Sequence, residues 1–456
     1  MIGTMLGVLF VCLLGTVPIA VSLGLSCVAT FSVFNAGSNM TQMLAQSTVT
    51  SIDSFSLMAI PFFMLVGSLM ERGGIAKKLV DVAEMMTGTM PGGLGMAAIV
   101  AAMFFAAISG SGPATAAAIG GIMIGAMTAQ GYSKGYSGAL IAAGSTIGPV
   151  IPPSIPMIMY GVTIGVSVSY MFIAGIIPGV LMGVALMIYN YFASKKRGYK
   201  GNETKAKTGR EKAVVLKEAI PAILMPVIIL GGIYSGVFTP TESAVIGVVY
   251  AIIVAVFVYH HLSRKAFCEA MFDAAITSAT IMILFGAANT FGRILTMNRV
   301  PAMITDWMMS ITSSRAMIML MLNIALLIIG MFLDTISSIV LFGPIFAPIA
   351  IAIGFDPLHF GIIMVINLCI GMLTPPMGGN LFVAQRLFIC GPVSSHGVTG
   401  TICFPQGTVW EGPLFPILYR SFSPGEPLCG LRETWSTMIS AAVSMLFRAT
   451  TRSSMT

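Results

Sequence analysis

The stretch GYSKGYSGALIAAGSTIGPVIPPSIPM (131–157) falls without a gap on GFDPLHFGIIMVINLCIGMLTPPMGGN (354–380), at an offset of 223 residues. Gly131, Gly138 and Gly148 meet Gly354, Gly361 and Gly371, and Pro152-Pro153 meets Pro375-Pro376. The same offset places Ser111 on Asp334 and Gly120 on Gly343. One matched glycine would carry little in so apolar a chain. Three glycines in register with a Pro-Pro pair mark an internal repeat. Such repeats are a hallmark of secondary transporters, where the binding site lies at the repeat interface. The spacing leaves open whether the two copies are parallel or inverted.

Each copy carries two interruptions of an apolar run. The first has Ser109-Gly110-Ser111-Gly112-Pro113 and then Gly148-Pro149-Val150-Ile151-Pro152-Pro153. The second has Gly330-Met331-Phe332-Leu333-Asp334-Thr335 and then Gly371-Met372-Leu373-Thr374-Pro375-Pro376. Proline lacks the backbone donor, clashes with the preceding turn and pushes its predecessor out of the α region. Two in a row are therefore expected to end or unwind a helix. Unwound backbone at membrane depth survives only where protein buries it or a watery cavity meets it. Its freed carbonyls suit a hard cation, and the N-terminal ends of half-helices suit a carboxylate. A lone Gly or Pro usually means packing or a kink; four breaks in two matched pairs point to a site.

The solvent for this chain is lipid. Of 456 residues, 56% are hydrophobic and 9% charged, where soluble domains carry about 25% charged residues. The apolar runs are long and continuous, so helices are expected rather than the alternating strands of a barrel. The opening MIGTMLGVLFVCLLGTVPIAVSLGL lacks a basic leader and its apolar character continues past Leu25, which favours a retained helix over a signal peptide. Lys195, Lys196, Arg197, Lys200, Lys205, Lys207, Arg210, Lys212 and Lys217 concentrate positive charge in one polar stretch. Basic loops stay cytoplasmic, so residues 194–218 read as a cytoplasmic linker and the net charge of +7 as a topology signal rather than a nucleic-acid footprint. The linker divides a first membrane repeat (1–193) from a second (219–387). The seven cysteines form no CxxC pair or Cys/His cluster; neither a disulfide nor a transition-metal site is expected.

Three ionisable residues stand out in apolar runs. Intramembrane charges are costly and are functional candidates by default. Asp334 lies at a break and is expected to act on a cation, directly or through neighbouring hydrogen bonds. Glu242, in Phe238-Thr239-Pro240-Thr241-Glu242-Ser243, sits where a carboxylate caps a helix start. Arg293 could meet a substrate carboxylate bidentately, or snorkel to an interface.

SGSGPATAAAIG, GPVIPPSIPMIMYG, GVFTPTESA and GMLTPPMGGNLFVA together resemble the large membrane subunit of a tripartite ATP-independent periplasmic (TRAP) transporter, the DctM-like type, from residue 1 to about residue 387. That resemblance implies an all-α polytopic membrane protein of the bacterial inner membrane. It implies two inverted repeats with re-entrant helical hairpins, and an elevator-type transport domain moving against a scaffold. It further implies a Na⁺ gradient as the driving force and no cofactor beyond that ion. The implied partners are a small DctQ-like membrane subunit and a periplasmic DctP-like binding protein that delivers a small carboxylate, such as a C4-dicarboxylate or a sialic acid. Carried onto this sequence, the hairpins centre on Ser109–Thr115 and Asp334–Ser338. One Na⁺ is then expected between Ser111 and the carbonyls of Gly148, Val150 and Pro152. Another is expected near Asp334 with Gly371, Thr374 and Pro375. The implied substrate contacts are Ser109, Gly110, Thr115, Pro153, Thr335, Pro376 and Asn380, with Arg293 added by its charge; Asn380 is also within the implied reach of the second ion.

After Gln385-Arg386 the character changes. Three of the seven cysteines and two of the three tryptophans follow residue 387, and no apolar run there is long enough to span a bilayer. The expected reading of residues 388–456 is a shifted frame rather than an added domain. Rival functions are weak. Ser111 lacks a neighbouring base for nucleophilic chemistry, the chain has no GxxxxGK[ST] for ATP, and a pore would repeat its polar ring by subunit symmetry. A stand-alone ion-coupled carrier, working without a binding protein, is the serious alternative.

Overall fold

The structure is a computed structural model. It describes residues 1–390 apart from 16, 34–36, 202–208, 313 and 375–377. The described residues form α-helices and short helical turns, with no strand among them. Among the described residues, eight helices are long and apolar enough to cross a membrane. The protein is an all-α polytopic membrane protein.

The first repeat comprises α1 (Ile2–Leu14), α2 (Ile19–Val33), α3 (Gly37–Ile52), α4 (Ala59–Arg72), α5 (Ile75–Thr87), α6 (Gly93–Ser109), α7 (Gly112–Ala129), α8 (Lys134–Ser145), α9 (Ile155–Ile164) and the long α10 (Val168–Arg197). The second comprises α11 (Gly209–Tyr234), α12 (Pro240–Ile253), α13 (Arg264–Met297), α14 (Val300–Ile311), α15 (Arg315–Phe332), α16 (Thr335–Ala352), α17 (Pro357–Gly371) and α18 (Gly379–Cys390). The offset of the motifs governs the whole layout. Helices α7 and α16 are both 18 residues long and coincide end to end at that offset. Helices α6, α8 and α9 likewise match α15, α17 and α18.

The starts of these helices follow from short polar side chains that satisfy free N–H groups. Ser111, Ser133, Ser154 and Ser167 cap α7, α8, α9 and α10. Asp334 and Asp356 cap α16 and α17. Thr239 and Glu242 form a complete capping box at α12, so Glu242 has the structural role read from its neighbours. Isolated prolines do not break these helices: α10 runs through Pro178, α11 through Pro221 and Pro226, and α16 through Pro344 and Pro348. Four sequence breaks do end helices, at 110–111, 146–154, 333–334 and 372–378.

The repeats interlock. Helix α9 packs on α16, and α18 packs on α7 and α8; likewise α4 packs on α12, and α2 on α13. Each contact has its mirror in the other copy, as a two-fold relation produces. Helix α10 continues to Arg197 and α11 begins at Gly209, so both helices extend into the basic linker. Most of the atypical tail, residues 391–456, lies outside the described residues.

Candidate functional site

The first break begins where Gly110 takes φ +58 and ends α6. A side chain there would be strained twice, because a Cβ would also stand 2.8 Å from the Pro153 carbonyl oxygen. Ser111 is extended, at φ −129 and ψ 126, and its Oγ accepts from the Ala114 N–H at 3.5 Å. Thr115 Oγ1 donates to the Ser111 carbonyl at 2.7 Å and shares a 3.1 Å hydrogen bond with Ser109 Oγ. Ser109 and Thr115 are buried.

The second break lies against the first. A Cβ on Gly148 would stand 3.1 Å from the Ser111 carbonyl oxygen. The segment turns tightly after α8, with Gly148 N–H donating to Ser145 O at 3.1 Å and Val150 N–H to Ile147 O at 3.0 Å. Ser154 fastens its far end: its Oγ donates to the Pro149 carbonyl and accepts from Met157 N–H at 3.3 Å. The Pro152–Pro153 peptide is cis. Of the carbonyls expected to face an ion, that of Val150 abuts Gly175 of α10, where a Cβ would meet it at 2.7 Å.

Asn380 comes to this hairpin from the other repeat. A Cβ on Gly112 would stand 2.8 Å from both Nδ2 and Oδ1 of Asn380. The asparagine is 0% exposed, and neither amide atom has a hydrogen-bond partner among the described residues. A buried polar group left unpaired costs about 1–3 kcal/mol. The reading from sequence set Asn380 beside the second ion or the substrate; the fold sets it against the first turn of α7.

In the second repeat, Asp334 is exposed. Its carboxylate accepts from the N–H groups of Ile336 and Ser337, each at 3.1 Å, and from the Ser337 hydroxyl. Thr335 is buried and its Oγ1 donates to Met372 Sδ at 3.0 Å. Gly371 faces Gly330, so closely that a Cβ on Gly371 would stand 2.6 Å from the Gly330 Cα. Thr374 Oγ1 donates to Ile370 O at 3.3 Å. Pro375 and Pro376 lie outside the described residues. Arg293 is exposed on α13 and is not among the residues gathered at either pair of breaks.

The sequence reading missed several polar groups. Ser338, named only as the end of the second hairpin's centre, is fully buried and its hydroxyl has no partner among the described residues; it is the repeat mate of Thr115, so the offset could have given it a site role. Asn367 Nδ2 donates to Asn323 Oδ1 at 2.7 Å, joining α17 to α15. Arg72 donates to Glu269 and Asp273, both at 2.5 Å, joining α4 to α13; the spacing of the two acids by one helical turn was a legible signal. At the far end of the first hairpin, Asn190 Nδ2 donates to Gly92 O at 3.0 Å and Oδ1 accepts from Tyr136 Oη at 2.9 Å. Tyr199 Oη accepts from the Ser133 N–H at 3.1 Å. Hydrogen bonding from Ser133 and the Arg197 charge hold the Tyr199 phenol below its ordinary pKa, against the opposing effect of desolvation.

Chemically, the breaks offer backbone carbonyls and hydroxyls, the hard oxygen donors that suit alkali-metal ions. Among the described residues no three His, Cys, Asp or Glu side chains gather.

Comparison with known proteins places this architecture. The model of the family described as "Tripartite ATP-independent periplasmic transporter, DctM component" matches residues 6–409. The isethionate TRAP transporter permease protein DctMQ of Oleidesulfovibrio alaskensis is 47% identical over 81% of this chain, which spans 58% of that protein's length. The C4-dicarboxylate large permease DctM of Pseudomonas aeruginosa is 40% identical over 80% of this chain and 85% of its own length. The sialic acid large permease SiaM of Vibrio cholerae is 37% identical over 78% of this chain and 82% of its own length. Among solved structures, the YdaH transporter of Alcanivorax borkumensis shares the fold, with a TM-score of 0.56 and 12% identity over 90% of this chain and 88% of that one. On the family match and these identities, the chain belongs to the DctM component family of tripartite ATP-independent periplasmic transporters, a family of transporter permeases of the bacterial inner membrane.

Proposed function

We propose that this permease takes up a small organic anion by Na⁺ symport, with a periplasmic binding protein delivering the substrate and a small membrane subunit completing the scaffold. The observation that carries the reading is the pairing of the breaks: Ser111 lies against Gly148, and in the second repeat Gly330 and Gly371 pack together in the last turns of α15 and α17, just before the breaks. Backbone is thereby freed from helical hydrogen bonding at two places inside apolar helices, which is tolerable only in a built site. Ser111, Gly148 and Pro152 supply oxygens for one Na⁺, and Gly371 and Thr374 for the other, with Asp334 fixing the first turn of α16. Ser109, Gly110, Thr115, Pro153, Thr335 and Asn380 line the substrate's side. The relatives' names support a small organic anion as substrate: theirs are a C4-dicarboxylate, sialic acid and isethionate, the last a sulfonate.

The distribution of charge supports inverted repeats. Exposed Lys134, Lys195, Lys196 and Arg197 cluster at the base of the first hairpin, whereas the base of the second has Arg299 and Arg315 offset by Asp306 and Asp356. An excess of Lys and Arg marks the cytoplasmic side, so the two bases face opposite compartments. In this reading the hairpins and their facing segments travel together against the helices of α1–α4 and α11–α13.

The test is uptake into proteoliposomes holding this chain and its small subunit, under an inward Na⁺ gradient, with binding protein outside and a panel of labelled carboxylates and sulfonates. Uptake requiring both Na⁺ and binding protein is expected. Equal uptake without binding protein would replace this reading with a stand-alone carrier.

A further inference from the structure

A cavity of about 220 Å³ opens at the base of the second hairpin, lined by Met309 of α14, Arg315 and Ile318 of α15, and Ala352 and Ile353 at the end of α16. Its depth in the membrane is fixed by the helices that frame it. Arg315 is the first residue of one candidate span, and Ala352 is the last residue of another. The cavity therefore sits where two spans meet the same boundary. Helix α14 agrees with that position: it is short, and it exposes Met303 at 61%, Trp307 at 60% and Ile311 at 56%. Tryptophan at the edge of apolar surface marks the headgroup layer, and a short helix with such a face lies along it.

The lining is four apolar side chains and one cation. The Arg315 guanidinium lies over Gly354, whose φ of +87 and lack of a side chain admit it; a Cβ there would stand 3.1 Å from an Arg315 terminal nitrogen. No carboxylate pairs with Arg315 among the described residues. A guanidinium presents a donor fork that fits phosphate oxygens. The volume is below the roughly 300–1,000 Å³ of ordinary ligand pockets, so it accepts a headgroup rather than a whole substrate. None of the five lining residues is acidic; Asp306 and Asp356, at the same base, are not among them.

We propose that this cavity binds the phosphate headgroup of an anionic phospholipid, with Arg315 on the phosphate and Met309, Ile318 and Ile353 against the glycerol and upper acyl chain. A lipid held there touches α14 and both arms of the second hairpin, and so fastens the hairpin base to its neighbouring helix.

The test measures the thermal unfolding midpoint of the purified full chain in detergent. Short-chain phosphatidylglycerol, short-chain phosphatidylcholine and inorganic phosphate are added separately to the wild type, Arg315→Gln and Ala352→Trp. The expected result is a rise of several degrees for the wild type with phosphatidylglycerol alone. Both variants should lose that rise, Ala352→Trp because it fills the cavity from an exposed position while keeping Arg315. An undiminished response in either variant, or none in the wild type, would overturn the site. An equal rise with inorganic phosphate would overturn the lipid and leave a free-anion site.

Discussion

A methyl group added at Gly112 would stand 2.8 Å from both amide atoms of Asn380. Asparagine is short, and this one is 0% exposed, so it has little room to yield. Overpacking of this kind typically costs about 1–3 kcal/mol. Gly112→Ala is expected to lower the thermal unfolding midpoint and reduce uptake, and Asn380→Ala in the same chain is expected to recover most of the lost stability. The check is a double-mutant cycle in detergent; additive losses would show that the two residues do not meet. Ser154 makes a second residue-scale case. It is 0% exposed, fastens the Pro149 carbonyl and caps α9. Ser154→Ala removes a cap worth about 1 kcal/mol and releases the segment that faces Ser111. We expect lower stability together with a raised half-saturating Na⁺ concentration in the proteoliposome assay. A stability loss with unchanged Na⁺ dependence would confine Ser154 to a structural role.

At the scale of elements, the C-terminal part of α10 is hydrogen-bonded to α6 and α8 through Asn190. Asn190 is 0% exposed and holds Gly92 at the entrance of α6 and Tyr136 in α8. Asn190→Leu leaves a carbonyl and a phenol unpaired in an apolar setting, at about 1–3 kcal/mol for each group. The expected outcome is a lower unfolding midpoint and faster proteolysis in the stretch after Arg197, checked by limited trypsin digestion. Protection equal to the wild type would show that α10 is held elsewhere. The breaks were legible at this scale because glycine at positive φ, paired prolines and short polar caps act within a few residues. Their pairing was not. Gly330 and Gly371 are 41 positions apart in the chain, and which break each one faces depends on how α15 and α17 pack.

For the whole molecule, the reciprocal contacts carry the prediction. Because α9 packs on α16 and α18 on α7 and α8, each repeat covers helices of the other. A chain split in the linker, between residues 201 and 209, is expected to reassemble when both fragments are co-expressed, and the first fragment alone is expected to be degraded. Co-purification of the second fragment with a tagged first fragment checks this; a stable first fragment on its own would contradict the interlock. The Arg72 contacts with Glu269 and Asp273 also bridge the repeats, but the side chains are 30–45% exposed, and ion pairs that open contribute little beside the buried helix faces.

The sequence by itself determined the membrane setting, the two-fold repetition and the places where helices stop. Each is a local property: apolar length sets the span, an offset shared by glycines and prolines sets the repeat, and a serine or aspartate sets the cap. The tertiary structure alone decided which polar groups share a site. Asn380 was expected to reach the second ion or the substrate, and the fold sets it on the first hairpin, because α18 crosses to the other repeat. Arg293 was a candidate for a substrate carboxylate or for an interface, and it lies on an exposed face of α13, since helix rotation is set by packing on both neighbours. Asp334 was identified as a special residue, yet only the geometry shows its carboxylate held by the first turn of α16. Long-range partners depend on the packing of faces many residues apart, and no short window of sequence encodes that.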